Sequence, residues 1–174
     1  SISMERMNNI HEIRSSSKIA LVEAGVILTN LHQAVNENDL MFPLTFGARG
    51  SATIGGVLST NAGGSNVLKY GNTRDLVLGV EIVLPNGDIM NLMSELHKDN
   101  SGYCLRDLVI GAEGTLGIIT QAVLKLFPKP KAHATAMVAV KSLDHALALE
   151  NEMQKGKWGA VAAYEYMQKR YNQG

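Results

Sequence analysis

The chain has little cysteine, few aromatic residues and no excess of charge. Its 174 residues include one cysteine, Cys104, and 5% aromatic residues, and 16 basic side chains balance 16 acidic ones. A single thiol excludes an internal disulfide and a metal cage of several thiolates. The balanced charge lacks the basic footprint of a nucleic-acid-binding protein, so we expect no nucleic-acid partner. No apolar run reaches the roughly 18 residues that span a membrane, and we therefore expect a soluble globular protein.

The common catalytic and nucleotide-binding motifs are also missing. The sequence has no Gly-Lys-Ser/Thr ending of a Walker loop, no histidine pair at metal-ligand spacing and no Gly-x-Ser-x-Gly nucleophile elbow. Residues 111–117 imitate the glycine spacing of the dinucleotide fingerprint, but the apolar run after them predicts a strand where that motif requires a helix. Spacing alone therefore predicts a binding surface with no catalytic residue and no metal site.

The isolated chemically active side chains receive structural interpretations. Cys104 precedes Leu105 and Leu108, a pattern that predicts a half-buried and unreactive thiol. His32 and His145 fall in helical patterns, which favours solvated or capping roles for both.

What is present is a strand-and-helix pattern typical of an α+β fold. The apolar run at 19–23 predicts a buried strand, and apolar residues from Leu28 onward recur at helical spacing until residue 38, with Thr29 as a capping candidate. A strand at 76–84 is followed by Asn-Gly at 86–87, which predicts a hairpin turn.

A further strand is predicted at 116–127, before Pro128 and Pro130 interrupt the pattern. We place a domain boundary there, with one unit at 1–131 and a second at 132–174.

The second unit is expected to open with a strand followed by a helix. Residues 136–140 have the composition of a strand, and Ser142 can cap a helix that Gly156 terminates. Residues 160–167 also form a well-patterned element. Because the chain starts partway through an apparent strand and stops directly after that element, we expect it to be a fragment of a longer protein.

The segment from residue 46 to residue 71 is rich in glycine, interleaved with Ser, Thr and Asn. Glycine costs backbone entropy on folding, so such density indicates positive φ angles or close backbone approach to a ligand. Backbone N–H groups in turns of this kind can bind anions and polar ring edges. A flexible surface loop is the alternative, which Ile54, Val57 and Leu58 argue against because they can anchor the stretch to a core.

Four blocks of the sequence resemble the FAD-binding domain of the vanillyl-alcohol oxidase type, in that family's order and spacing. They are residues 51–56, 60–64, 70–75 and 111–118. Within this superfamily the chain is most similar to the FAD-linked D-2-hydroxyacid dehydrogenases. Residues 96–103 resemble a segment typical of the D-2-hydroxyglutarate dehydrogenase branch.

The resemblance implies an FAD site. The region 43–64 would approach the flavin ring and ribityl chain, through Pro43, Ser51, Thr53, Gly55, Gly56, Ser59 and Asn61. The region 111–119 would support the adenosine half, and the residues implied for the rest of the cofactor are Gly71, Glu113, Gly114, Gly117 and Ile118. Cys104 stands where relatives often carry an acidic residue.

The resemblance also implies an activity, the oxidation of a D-2-hydroxy acid of the D-2-hydroxyglutarate, D-lactate or glycolate type to a 2-oxo acid. Hydride would pass to N5 of the flavin, which carries the redox chemistry. The family's pyrophosphate-binding loop would precede Ser1, and its divalent-metal ligands and substrate-binding arginine would follow Gly174. We therefore expect these 174 residues alone to be catalytically inactive.

Two other functions stay open at this point. One is an ether-lipid synthase of the same superfamily, and the other is a non-catalytic interaction module. The expected partner is a small 2-hydroxy acid, with the electron acceptor undefined and a homo-oligomer compatible with the resemblance. The expected location is the cytoplasm in a bacterium, or the mitochondrion in a eukaryote.

Overall fold

The computed structural model describes residues 2–98, 100–156 and 161–167. These residues contain seven strands: β1 (Ile10–Arg14), β2 (Ile19–Glu23), β3 (Leu40–Met41), β4 (Val77–Val83), β5 (Ile89–Leu92), β6 (Ile118–Lys125) and β7 (Phe127–Pro128). Five of them form one sheet in the order β1-β2-β6-β4-β5, and β3 pairs with β7. Every neighbouring pair is antiparallel. The α+β class expected from the sequence is confirmed.

The described residues contain five α-helices: α1 (Leu28–Asn36), α2 (Ile54–Ser59), α3 (Val67–Tyr70), α4 (Leu105–Val109) and α5 (Leu143–Gly156). Single 3₁₀ turns occupy Gly47–Gly50 and Thr73–Leu76. The helix predicted from Leu28 onward is confirmed as α1. Its N-cap is Ile27 without a side-chain bond, and the Thr29 hydroxyl instead donates to the carbonyl oxygen of Arg49. The capping role predicted for Thr29 is therefore wrong.

The sheet carries its main core on the face against which α1 and α2 pack. Alternate strand residues point to this face because successive side chains of a strand lie on opposite sides. Examples are Val22 of β2, Val80 of β4 and Leu124 of β6, which join Leu31 of α1 and Leu58 of α2 in one buried cluster. On the opposite face a smaller cluster forms around Ile19, Leu78 and Val123.

The hairpin predicted at Asn86-Gly87 is confirmed. β4 pairs with β5 so that Val83 lies opposite Ile89, and Leu84 N–H donates to the carbonyl oxygen of Asp88. Gly87 has a φ of +90°, which is readily reached only without a Cβ.

The part that follows Pro130 differs from expectation. Helix α5 forms as predicted, and the Ser142 hydroxyl accepts from the backbone N–H of His145. The predicted strand at 136–140 is wrong: this segment pairs with no strand in the described structure, and Met137 is 88% exposed. A lone strand leaves its backbone groups without partners, so a strand-like composition is not sufficient. Residues 161–167 have no regular secondary structure. Residue 160, the start of that predicted element, lies outside the described residues.

Candidate functional site

The glycine-rich segment folds around α2, a short helix that the sequence interpretation did not anticipate. Its first turn is joined to the end of β2, because Ile54 N–H donates to the carbonyl oxygen of Val26 at 2.8 Å and Gly55 N–H to that of Ala24 at 2.7 Å. The Thr53 hydroxyl caps the helix by accepting from Gly56 N–H at 3.3 Å. The threonine and the apolar residues at helical spacing after it were the signal that could have revealed α2.

The two consecutive glycines of α2 have different surroundings. Gly55 is buried, and a Cβ placed on it would lie 2.9 Å from the Cβ of Ala24. Gly56 is exposed, and a Cβ there would meet only the Thr53 hydroxyl, at 3.2 Å. Gly55 is therefore required by packing of the helix on β2, whereas Gly56 presents open backbone to solvent.

A second glycine-rich loop, residues 110–117, docks on the end of α2. Gly111 N–H donates to the carbonyl oxygen of Leu58 at 3.0 Å, and Glu113 N–H to that of Ser59 at 2.9 Å. The loop then enters β6 through Gly117, where a Cβ would lie 2.8 Å from the carbonyl oxygen of Val83. Because β6 is a strand, the prediction that this loop is not a Rossmann fingerprint is confirmed.

Arg74 forms hydrogen bonds both to this loop and to Asn61. Its guanidinium Nη2 donates to the carbonyl oxygen of Ile110, and its backbone N–H donates to Oδ1 of Asn61 at 2.9 Å. Arg74 lies in the 70–75 block of the resemblance, but the sequence analysis gave it no role, because a lone arginine after a glycine-rich turn does not reveal which groups it contacts. Its position shows that Asn61 joins the two glycine-rich segments through this arginine.

Between α2 and the 110–117 loop lies a cleft of about 380 Å³. It brings together seven of the twelve residues that the resemblance implied: Thr53, Gly55, Gly56, Ser59, Gly114, Gly117 and Ile118. They come from two stretches of the chain that meet because β6 pairs with β2 and α2 contacts both strands.

The other five implied residues do not line this cleft. Pro43 is buried and accepts a bond from the Asn66 side chain, and the Ser51 hydroxyl donates to the carbonyl oxygen of Ala48. Asn61 is engaged with Arg74, as described above. The remaining two, Gly71 and Glu113, take part in turns.

Those two residues have positive φ angles, +80° for Gly71 and +50° for Glu113. At Gly71 a Cβ would collide with the Asp75 side chain, whose carboxylate accepts from Asn72 N–H at 2.8 Å. The local turn therefore accounts for this glycine without a ligand.

The N-terminal segment forms one wall of the cleft. Ile2, Ser3, Met4 and Glu5 line it, and the same segment borders an adjoining groove of about 510 Å³ together with Val83 and Thr120. Sequence analysis did not place this segment at the site, because no motif marks it.

Cys104 is exposed, which contradicts the half-buried position predicted for it. The apolar residues after it begin α4, and Cys104 occupies the N-cap position outside that short helix. Burial raises the pKa of nearby Asp107, but hydrogen bonds from the Arg106 and Cys104 side chains outweigh this and lower it below its usual value. His32 and His145 lie on α1 and α5 as predicted. The solvated or capping role predicted for His32 is wrong, because its ring is half-buried and its Nε2 lies 2.9 Å from the carbonyl oxygen of Leu44.

Within the described residues, no set of three His, Cys, Asp or Glu side chains could hold a metal ion. None of the described helices is long and apolar enough to cross a membrane.

Residues 1–93 match the model of the FAD binding domain family. This chain belongs to that family. The FAD-binding fold that the resemblance implied is thereby confirmed, with FAD as the family's cofactor.

Relatives of this FAD-binding domain extend over most of the chain. The D-2-hydroxyglutarate–pyruvate transhydrogenase of Saccharomyces cerevisiae is 37% identical over 95% of the chain, which covers 34% of that protein. The mitochondrial D-2-hydroxyglutarate dehydrogenase of Rattus norvegicus is 40% identical over 95% of the chain and is covered to 31%. The chain thus spans about a third of the length of these curated relatives.

A solved structure of alkyldihydroxyacetonephosphate synthase resembles the domain in fold. Its TM-score is 0.67 at 29% identity, over 76% of this chain and 23% of the synthase.

Proposed function

We propose that this FAD-binding domain serves an oxidoreductase that converts a D-2-hydroxy acid, of the D-2-hydroxyglutarate, D-lactate or glycolate type, to the 2-oxo acid. The observation that supports the proposal is the cleft beside α2, where two glycine-rich loops expose backbone groups. The chain also belongs to a family that binds FAD. The similarity to D-2-hydroxyglutarate enzymes along 95% of the chain supports the substrate class.

The residues of the cleft fit a flat, polar cofactor. Exposed Gly56 and Gly114 leave room for close approach, since only the Thr53 hydroxyl lies near a Cβ on Gly56 and nothing lies within 4 Å of one on Gly114. The hydroxyls of Thr53 and Ser59 offer polar contacts. Bound FAD supplies a hydride acceptor, N5 of its ring, for the oxidation of the hydroxy acid.

The protein's own contribution is to position and enclose this cofactor. Gly117 directly precedes β6 and Ile118 begins it, and both offer backbone groups at the cleft edge. We propose that the five implied residues outside the cleft contact a part of the cofactor that extends beyond the cleft, or support the loops that form the cleft. These residues are Pro43, Ser51, Asn61, Gly71 and Glu113.

The remaining assignments are also proposals. We place the boundary of the FAD-binding unit near residue 131, with 132–174 beginning a substrate domain. A divalent metal centre has no donor set in the described residues. We place the protein in the bacterial cytoplasm or the mitochondrion. The electron acceptor is undefined, and a homo-oligomer is compatible with the resemblance.

An ether-lipid synthase activity is the second candidate, because the fold resembles alkyldihydroxyacetonephosphate synthase. The test uses the complete protein encoded by the gene that contains this sequence, hereafter the complete gene product. Flavin absorbance is recorded without oxygen while D-2-hydroxyglutarate, D-lactate or glycolate is added. Bleaching by one of them supports the proposal, and formation of alkyldihydroxyacetone phosphate without bleaching favours the synthase. A protein without flavin would identify a non-catalytic module.

A further inference from the structure

The N-terminal wall is the segment of residues 2–9, of which residues 2–5 line the cleft. It is attached to the end of β2 by backbone hydrogen bonds. Gly25 N–H donates to the carbonyl oxygen of Met7 at 2.7 Å, and Glu23 N–H donates to that of Asn9 at 3.0 Å. Within the wall, Met7 N–H donates to the carbonyl oxygen of Met4 at 2.9 Å, which closes a turn. The position of Met4 against the cleft therefore depends on the β2 end.

Gly25 is the point of closest approach between the wall and β2. A Cβ at this position would lie 2.6 Å from the carbonyl oxygen of Met7 and still closer to that of Met4. Gly25 is not among the glycines with positive φ. Its missing side chain is therefore explained by space for the wall and not by backbone conformation.

Glu23 attaches the same wall through its side chain. Its Oε2 accepts from the backbone N–H of Asn9 at 2.8 Å and from the Asn9 side-chain amide at 2.9 Å. The other carboxylate oxygen lies 3.2 Å from Nε2 of His11, and the Glu23 side chain is only 12% exposed. These contacts, the Asn9 backbone bond foremost, lower the pKa of Glu23, so the carboxylate is charged at neutral pH.

We propose that Gly25 and Glu23 are positioning residues that set the width of the FAD cleft by holding residues 2–9 against the end of β2. This inference rests on the proposed cofactor site. A side chain at residue 25 displaces the Met4–Met7 turn, and loss of the Glu23 carboxylate releases Asn9. Either change moves Ser3 and Met4 away from Thr53, Gly56 and Ile118 across the cleft.

The test measures FAD affinity of the deflavinated complete gene product. We expect Gly25→Ala to weaken FAD binding about tenfold or more, a loss of about 1.4 kcal/mol. Ala148→Ser, which also adds one heavy atom, is the control, because Ala148 is exposed on α5 and does not line the cleft, and it should bind as the unmodified protein does.

A second pair of variants covers the case in which Gly25→Ala does not fold. Glu23→Ala should weaken FAD binding. Glu23→Gln should restore part of the affinity, because its amide oxygen can still accept from Asn9 although it carries no charge. Glu12→Gln is the control, since Glu12 pairs with Arg14 on β1. If the Gly25 and Glu23 variants lose affinity only because they are less stable, the unfolding temperatures of the cofactor-free variants will fall in the same order as their FAD affinities. That result would overturn the positioning roles.

Wall displacement can also be measured without cofactor. In a Cys104→Ser background, a thiol introduced by Met4→Cys should react faster with a labelling reagent when Gly25→Ala is present. Unmodified protein that takes up no FAD would overturn the proposed function. Normal FAD uptake by the unmodified protein, with unchanged affinity and unchanged labelling in the Gly25 and Glu23 variants, would overturn the positioning roles alone.

Discussion

Gly55 is joined to Ala24 by a backbone hydrogen bond of 2.7 Å and leaves no room for a side chain between them. This contact seats α2 on the end of β2. It also gives the two adjacent glycines of α2 different environments, because Gly55 faces Ala24 while Gly56 faces solvent. The two positions therefore respond differently to substitution.

Gly55→Ala is expected to destabilise the fold. Its Cβ would lie 2.9 Å from the Cβ of Ala24 and 3.1 Å from its carbonyl oxygen, and overpacking of a core contact costs about 1–3 kcal/mol. The free energy of unfolding in urea measures this change. Gly50→Ala is the control, because the space around Gly50 is open. Equal stability of both variants would contradict the packing role.

Gly56→Val is expected to abolish FAD retention in the complete gene product while the protein stays folded. The branched side chain would occupy the space beside Thr53 that we assign to the cofactor. The measurement is the ratio of bound flavin to protein after purification, with Ala148→Val on the exposed side of α5 as the control. Wild-type flavin content in the Gly56→Val protein would contradict the assignment.

Stability should decrease as the pH falls from about 7 to about 5 because of His32. Burial lowers the pKa of His32 below its ordinary value of 6.5, and the Arg49 charge adds to this, although hydrogen bonds to the Leu44 and Phe42 carbonyls oppose it. His32 therefore takes up a proton more readily in the unfolded chain than in the folded protein. The free energy of unfolding decreases once the pH falls below the pKa that His32 has in the unfolded chain.

His32→Gln should flatten this dependence, measured as the urea midpoint at the two pH values, because glutamine keeps an N–H donor for the Leu44 carbonyl oxygen but does not titrate. Exposed His133→Gln is the control. An unchanged pH profile in His32→Gln would show that other groups cause the loss.

The 174-residue chain produced alone is expected to purify without colour. The resemblance places the pyrophosphate-binding loop outside these residues, and charge-assisted hydrogen bonds contribute about 1.5–3 kcal/mol each. Loss of three or more should weaken FAD binding by several orders of magnitude. A visible spectrum with an FAD titration measures this. A yellow, stoichiometric complex with submicromolar affinity would contradict the expectation.

Local sequence patterns were sufficient to predict several secondary-structure elements. The apolar run at 19–23 became β2, the Asn86-Gly87 turn closed the hairpin, and helical spacing from Leu28 produced α1. Each signal is contained in a few neighbouring residues whose backbone preference and burial agree. The same local reasoning was wrong for 136–140, because a strand also requires a partner that composition does not supply.

The sequence by itself determined the family blocks, the main strands and the glycine-rich character of the site. Only the tertiary structure decided that β2 pairs with β6, that Gly55 packs on Ala24 while Gly56 opens into the cleft, and that residues 2–5 form its wall. These relationships join residues far apart in the chain. Their free energies depend on contacts between backbone groups that are distant in the sequence, and a local pattern of side chains does not predict such contacts.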